Sequence, residues 1–433
     1  MKKPVRSFTA LAAALALTAL SVLPASAQPL PTARPESAGF DSARLQKLDD
    51  YMAKVVADGR VAGLTTMLAR HGKIVHSKVY GQADLAKQTP MTADTIFRIY
   101  SMTKPVTGVA MMILFEEGKW QMDDPVTKFV PEFKNLRVMT GTDKKGNMIT
   151  VPARRPPTMR ELMSHTAGFG YGLDNRHAVD KMIQKENVLP TATQQQMIDK
   201  LANIPLKFQP GTDWAYSISV DIQGAIVERL SGQTLGAFFE QRIFQPLKMT
   251  DTAFRLNADR QARLAEVYQG DAASGKLVPA PPGIVRDLLS PTLRENGGGG
   301  LLSTMGDYAR FGQMLLNKGE LDGARILSPA AVELMYTNVV PMDVLKSFQG
   351  TQGFSEAVGF GMDVRIVLDP RRIGRMDGQN SYDWGGAAAT WFWVDPTNDL
   401  IFIGMVQRLG GGVEDLRPMA RVFTYGALVD PKK

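Results

Sequence analysis

Two pairs of β-rich runs, one early in the chain and one late, are each closed by a connection too short for anything but an antiparallel hairpin. Residues 64–70 and 74–80 flank His71-Gly72-Lys73, and residues 387–394 and 400–406 flank Asp395-Pro396-Thr397-Asn398. The long stretch between them reads as helices and Pro/Gly-rich loops, with no internal repeat. A chain built this way is expected to be α+β, with an antiparallel sheet, helices packed on it and a mostly helical insertion. The expected division is a sheet lobe from residues 28–118 and 300–433, and a helical lobe from 119–299. A cleft between lobes is a usual place for a binding site.

Apolar spacing places the helices. Leu45, Leu48, Met52, Val55 and Val56 mark one over Asp41–Asp58, with Asp41 as its cap. Val106, Val109, Ala110, Ile113 and Leu114 form an apolar face over Ser101–Gly118. Pro105 is tolerated near that helix start, where backbone N–H groups lack helical partners anyway. Further helices are expected over Val220–Leu230, Leu235–Phe244, Met305–Asn317 and Glu414–Leu428.

The first 27 residues read as a secretory leader: Lys2, Lys3 and Arg6, then an apolar run over Phe8–Leu23, then Ala25-Ser26-Ala27. Cleavage is expected after Ala27, with the periplasm or the medium as destination and no stable membrane anchor afterwards. The formal charge of +7 drops to +4 once the leader's three cations are removed. That balance, without a long basic run, gives no reason to expect a nucleic-acid partner. There are no cysteines, which excludes disulfides, a thiol nucleophile and thiolate metal sites.

Several hydrolase plans are missing from the sequence. There is no G-x-S-x-G elbow and no H-E-x-x-H, and only four histidines occur. Gly297–Gly300 lacks the Lys-Ser/Thr of a phosphate loop and reads as a turn of close backbone approach. Ser101-Met102-Thr103-Lys104 remains. Ser and Lys three apart at a helix start share a face. A neutral lysine amine there can take the proton that makes the hydroxyl a nucleophile. Such a pair arises by chance roughly once or twice in a chain this long, usually as a cap serine before a solvated lysine.

Phe97–Lys104 resembles the first motif of the serine β-lactamase and penicillin-binding-protein superfamily. Leu162–Gly168 is similar to its S-H-T-[AS]-G segment, and Pro210–Ser217 resembles the second motif and its lead-in. Gly297–Thr304, followed by Asp307–Phe311, also fits the pattern. Trp384-Gly385-Gly386 stands where the third motif belongs, on the strand before Asp395-Pro396. The resemblance implies a β-lactamase-like fold.

Departures from the pattern choose the branch. Class C β-lactamases carry Tyr-x-Asn, but here Ile218 takes the Asn place. They carry Lys-Thr-Gly, but here Trp384 takes the place of the lysine that helps bind the substrate carboxylate. Tyr-Ser-x with Trp-Gly-Gly is similar instead to the class C-like carboxylesterases of family VIII, and suggests neutral esters. The resemblance implies Ser101 as nucleophile, with Lys104 and Tyr216 sharing the proton. It also implies the backbone N–H groups of Ser101 and Ala387 as oxyanion hole, and Trp384, Gly385, Gly386 and Tyr100 against the substrate. His165 reads as a structural hydrogen-bonder. No metal or organic cofactor is required, and the expected partner is a small-molecule ester. Alternatives are a β-lactamase or D-Ala-D-Ala carboxypeptidase, an acyltransferase, or a non-catalytic penicillin-binding-like protein.

Overall fold

The computed structural model describes residues 29–271, 274–281, 285, 288, 294–347 and 356–432; the expected leader, 1–27, lies outside the described residues. The first hairpin forms as expected, from β1 (Gly63–Arg70) and β2 (Lys73–Asp84). His71 and Gly72 form its turn with φ of 51° and 71°, the double positive φ that a two-residue type I′ turn needs. The chain then adds β3 (Thr89–Pro90) and, much later, β4 (Val358–Phe360), β5 (Arg365–Val367), β6 (Tyr382–Gly385), β7 (Trp391–Asp395) and β8 (Leu400–Val406). They make one eight-stranded sheet in the order β4-β5-β6-β7-β8-β1-β2-β3. Every neighbouring pair in it runs antiparallel. The early and late hairpins therefore meet at β1 and β8, with Leu64 opposite Val406 and Arg70 opposite Leu400.

The expected strand over 387–394 is corrected. Residues 386–390 form a tight turn between β6 and β7, in which the Gly386 N–H donates to the Thr390 carbonyl at 2.8 Å. The third motif thus lies on β6 and at its exit, one strand earlier than expected.

The central strands are buried on both faces. Leu64, Leu68, Trp391, Trp393 and Phe402 point to one side and pack with Leu45, Leu48 and Met52 of α1 (Ser42–Ala57). Each such fully buried side chain contributes about 1.5–3 kcal/mol. Asp41 caps α1 by accepting from the Arg44 N–H at 3.0 Å. Alternate residues, including Met67, Phe392, Ile401 and Ile403, point the other way and join a core that includes Phe311 and Met314. Gly404 lies opposite Trp391, where a Cβ would stand 2.2 Å from the indole, so only glycine fits.

The second core is continuous from the sheet through α2 (Thr103–Glu116) to Val179, Ile198 and Ile226 of the helical middle. α2 was expected to bury one face, yet every residue from Thr103 to Leu114 is buried. It lies between the sheet and the middle segment, whose α3 (Ser219–Ser231) packs against it. The middle also contains a hairpin, Arg137–Thr142 with Met148–Pro152, that the helical reading did not include. The expected helix Leu235–Phe244 is α-helical to Phe239 and wider-wound over Glu240–Phe244. α4 (Met305–Leu316) and α5 (Leu416–Ala427) complete the elements used below. Among the described residues no helix is long and apolar enough to cross a membrane.

Candidate active site

Ser101 sits not in α2 itself but in the short 3-10 turn Tyr100–Met102 that leads into it. Tyr100 has a φ of 43°, in the left-handed region that a bulky residue adopts only when its surroundings enforce it. Two bonds hold this turn from outside. The Tyr308 hydroxyl of α4 donates to the Met102 carbonyl at 2.9 Å, and the Leu301 N–H donates to the Thr103 hydroxyl at 3.1 Å.

Lys104, one turn further on, is completely buried. Its Nζ lies 3.3 Å from Ser101 Oγ, 3.2 Å from the Tyr171 hydroxyl and 2.5 Å from the Gly298 carbonyl. It also lies 4.6 Å from the ring centre of Tyr216 and 5.0 Å from that of Tyr171. Burying a polar amino group is costly unless it is hydrogen-bonded, and here three oxygens converge on it. The glycine run does more than turn the chain. Gly298 would place a Cβ 2.3 Å from Asp221 and 2.7 Å from the Tyr171 hydroxyl, so its bareness lets the carbonyl reach Lys104.

The Tyr216 hydroxyl lies 2.6 Å from Ser101 Oγ. Its segment is pinned to the Ser164–Gly168 stretch. The Ala215 N–H donates to the His165 carbonyl at 3.1 Å, and His165 Nδ1 meets Ser217 Oγ at 2.8 Å. The fully buried His165 ring stands 5.2 Å from that of Tyr216. Burial, and then the charge of Lys104, pushes the His165 pKa well below its usual 6.5, so it remains a neutral hydrogen-bonder, as expected. Ile218 is fully buried and offers the cleft no amide.

From β6 come Trp384 and the two glycines. The Trp384 ring lies 5.6 Å from the Tyr216 ring and 5.5 Å from Phe360. A Cβ on Gly386 would come within 2.5 Å of the Ile99 carbonyl, which shows how tightly the β6 exit approaches the nucleophile turn. Neither the Ser101 nor the Ala387 backbone N–H enters a backbone hydrogen bond among the described residues. Both residues border a cleft of about 640 Å³, together with Tyr100, Tyr216, Trp384, Gly385 and Gly386. Every residue the sequence placed at the site thus lines this cleft, apart from Lys104 lying immediately behind Ser101.

Four further residues escaped the sequence reading. Tyr171 bridges Lys104 to Asp221, whose carboxylate is 3.4 Å from the phenol and 3.1 Å from the buried guanidinium of Arg294. Burial and the neighbouring Asp221 hold the Tyr171 phenol well above its usual 10, so it stays protonated. Its one signal in the sequence is its place just after Ser164–Gly168. Arg365 of β5 and Arg417 of α5 also line the cleft. Trp384 supplies no charge, but these two put positive charge at the same end. Burial, only partly offset by Asp383, pushes Arg417 down to about 10, still a cation at neutral pH.

Among the described residues no cluster of His, Asp or Glu is arranged to hold a metal ion. A hydroxyl with a phenol and an amine in hydrogen-bond reach, beside the backbone N–H groups of Ser101 and Ala387, can form and discharge an acyl-enzyme.

The Beta-lactamase family model matches residues 48–424. Protein Rv1367c of Mycobacterium tuberculosis is 36% identical over 357 residues, which cover 81% of this chain and 86% of that one. Esterase EstB of Burkholderia gladioli is 28% identical over 377 residues, covering 83% of this chain and 90% of its own. The solved structure of EstCE1, described as a hydrolase with promiscuous acyltransferase activity, superposes with a TM-score of 0.73 at 24% identity. It spans 89% of this chain and 99% of that one, a likeness of fold. The chain belongs to the beta-lactamase family and is a serine hydrolase.

Proposed function

We infer that this enzyme cleaves small carboxylic esters through an acyl-enzyme on Ser101. The observation that carries the reading is the position of Ser101 Oγ, 2.6 Å from the Tyr216 hydroxyl and 3.3 Å from Lys104 Nζ. Ser101 attacks the ester carbonyl while its proton passes to the Lys104/Tyr216 pair. The N–H groups of Ser101 and Ala387 hold the oxyanion. The pair returns the proton to the leaving alcohol, and water then releases the acid by the same route. A cleft of about 640 Å³ suits a small ester. The name of Esterase EstB supports the substrate class. The buried Ile218 and the uncharged Trp384 speak against a β-lactam amide as the preferred substrate.

The test is a panel of short-chain p-nitrophenyl esters with nitrocefin beside them. Ester turnover abolished in Ser101→Ala supports the reading; nitrocefin turnover exceeding that of every ester reverses it. An alcohol added to the reaction measures how much acyl-enzyme is discharged to a second acceptor.

The leader-like residues 1–27 further imply export to the periplasm or medium, with cleavage after Ala27. The mass of the mature protein from the producing cells tests this: a species beginning at Gln28 supports it, and a full-length chain in the cytoplasm opposes it.

A further inference from the structure

The groups around the Lys104 amine decide which way it can point. A carbonyl oxygen has no hydrogen to give, so the Gly298 carbonyl at 2.5 Å takes one N–H of Lys104. The Tyr171 hydroxyl, at 3.2 Å, has a single proton, and the Asp221 carboxylate 3.4 Å away accepts it. The phenol therefore turns a lone pair towards Lys104 and takes a second N–H. A neutral amine has two N–H groups and one lone pair, so the lone pair is left for Ser101 Oγ at 3.3 Å. Asp221 is not a bare charge: it is buried and paired with the buried Arg294 at 3.1 Å. Arg294 also donates to the Gln194 side chain and to the Leu189 carbonyl, each at 3.2 Å. Of the other ionisable groups around the amine, Tyr216 shares the serine proton and His165 stays neutral. Burial pushes the Asp363 carboxyl well above the usual carboxylate range, although Lys104 opposes this. Asp180 accepts from the Tyr171 backbone N–H at 2.9 Å and is paired with Lys207 at 2.8 Å. The further carboxyl groups near Arg294 are Glu228, raised by burial, and Glu295, which accepts from the Gly236 N–H at 2.7 Å.

We propose that Tyr171, held by the Asp221–Arg294 ion pair, is a positioning residue that aims the Lys104 lone pair at the Ser101 hydroxyl. This rests on the esterase reading of the Lys104/Tyr216 pair. With Tyr171 in place the amine accepts the serine proton and returns it without turning. The Ser101 O–H bond breaks, a third N–H forms on Lys104, and the electron pair left on Oγ attacks the ester carbonyl. The bonds from Lys104 to Gly298 and Tyr171 stay as they are throughout. Arg294 has a separate part. An unpaired Asp221 carboxylate would hold a proton on the amine, and the guanidinium cancels that pull. All three residues act through Lys104 and not on the ester itself.

The test is the pH profile of kcat/KM on p-nitrophenyl acetate, a substrate that does not titrate. Tyr171→Phe should lose about tenfold or more from the plateau, with its acid limb moved to lower pH because an ammonium there lacks an acceptor. Asp221→Asn keeps an acceptor for the phenol but leaves Arg294 unopposed, so its acid limb moves about one pH unit lower. Arg294→Gln leaves Asp221 unopposed and moves the limb about one pH unit higher. The double variant Asp221→Asn/Arg294→Gln should return close to the parent. Loss of packing alone lowers activity without shifting the limb in opposite directions. A parent-like plateau in Tyr171→Phe, or a limb unmoved in both charge variants, overturns the proposal. The rate at which a fluorophosphonate labels Ser101 is followed over the same pH range. Labelling that shows these shifts in an enzyme that cleaves no ester sinks the esterase reading and leaves the positioning role standing. Ester cleavage with unmoved limbs does the reverse, and absence of both labelling and cleavage sinks both. Where Arg294→Gln fails to fold, Tyr171→Phe and Asp221→Asn carry the comparison.

Discussion

Tyr216 and Ser101, far apart in sequence, meet with their oxygens 2.6 Å apart, and the contact is held by His165 wedged behind the tyrosine ring. Removing only the phenolic oxygen tests whether that contact moves a proton. Tyr216→Phe should lower kcat/KM on short esters by about 10²-fold or more with little change in melting temperature. Near-normal turnover in this variant would leave Lys104 as the sole proton carrier.

Lys104 is the costlier residue. Its amino group is fully buried, so an apolar side chain of similar size relieves desolvation while leaving the Gly298 carbonyl without its donor. Lys104→Met should therefore abolish at least about 10²-fold of activity. Unfolding free energy should stay within about 2 kcal/mol of the parent, measured by denaturant melts.

His165 gives stability a pH dependence of known sign. In the native state it stays neutral, because burial and Lys104 hold its pKa far below 6.5. In the unfolded chain it takes up a proton as the pH falls through about 6.5. The unfolded state then binds more protons, so this contribution is complete above that pH and is lost below it, at up to about 1.4 kcal/mol per pH unit. Asp307 works in the opposite sense, since burial raises it to about 6 and the native state takes up its proton first. The difference between the parent and His165→Asn isolates the histidine. That difference should shrink between about pH 6.5 and 5 and be flat above; a flat difference throughout contradicts a buried neutral imidazole.

Gly404 offers a test of the sheet apart from the chemistry. A methyl group there meets the Trp391 indole at 2.2 Å. Gly404→Ala should cost about 1–3 kcal/mol in unfolding free energy, while kcat per folded molecule is retained. A fully stable variant would mean that β7 and β8 are packed more loosely than described.

Much of the fold was legible because local chemistry encoded it. His71-Gly72 adopts the positive φ pair that its hairpin needs, and Asp41 caps the helix that its apolar spacing marks. Ser101 and Lys104 could be paired because one helical turn fixes their separation. What failed had no local signal. The turn at 386–390 is built from Gly-Ala-Ala-Ala-Thr, without Asn, Asp or Pro, yet it holds Ala389 at a φ of 66°. The burial of α2 on all sides follows from what packs around it. Tyr171, Asp221, Arg365 and Arg417 converge from a loop, a helix, an edge-side strand and the last helix, so only the sheet order and the packing of the middle segment bring them to the cleft.

Covalent trapping shows whether Ser101 is the nucleophile. The purified protein is treated with a fluorophosphonate, and the adduct is located by peptide mass spectrometry. The expected result is one adduct on Ser101, formed more slowly in Tyr216→Phe, absent in Ser101→Ala and accompanied by loss of ester hydrolysis. An adduct elsewhere, or full hydrolysis persisting in Ser101→Ala, would contradict it.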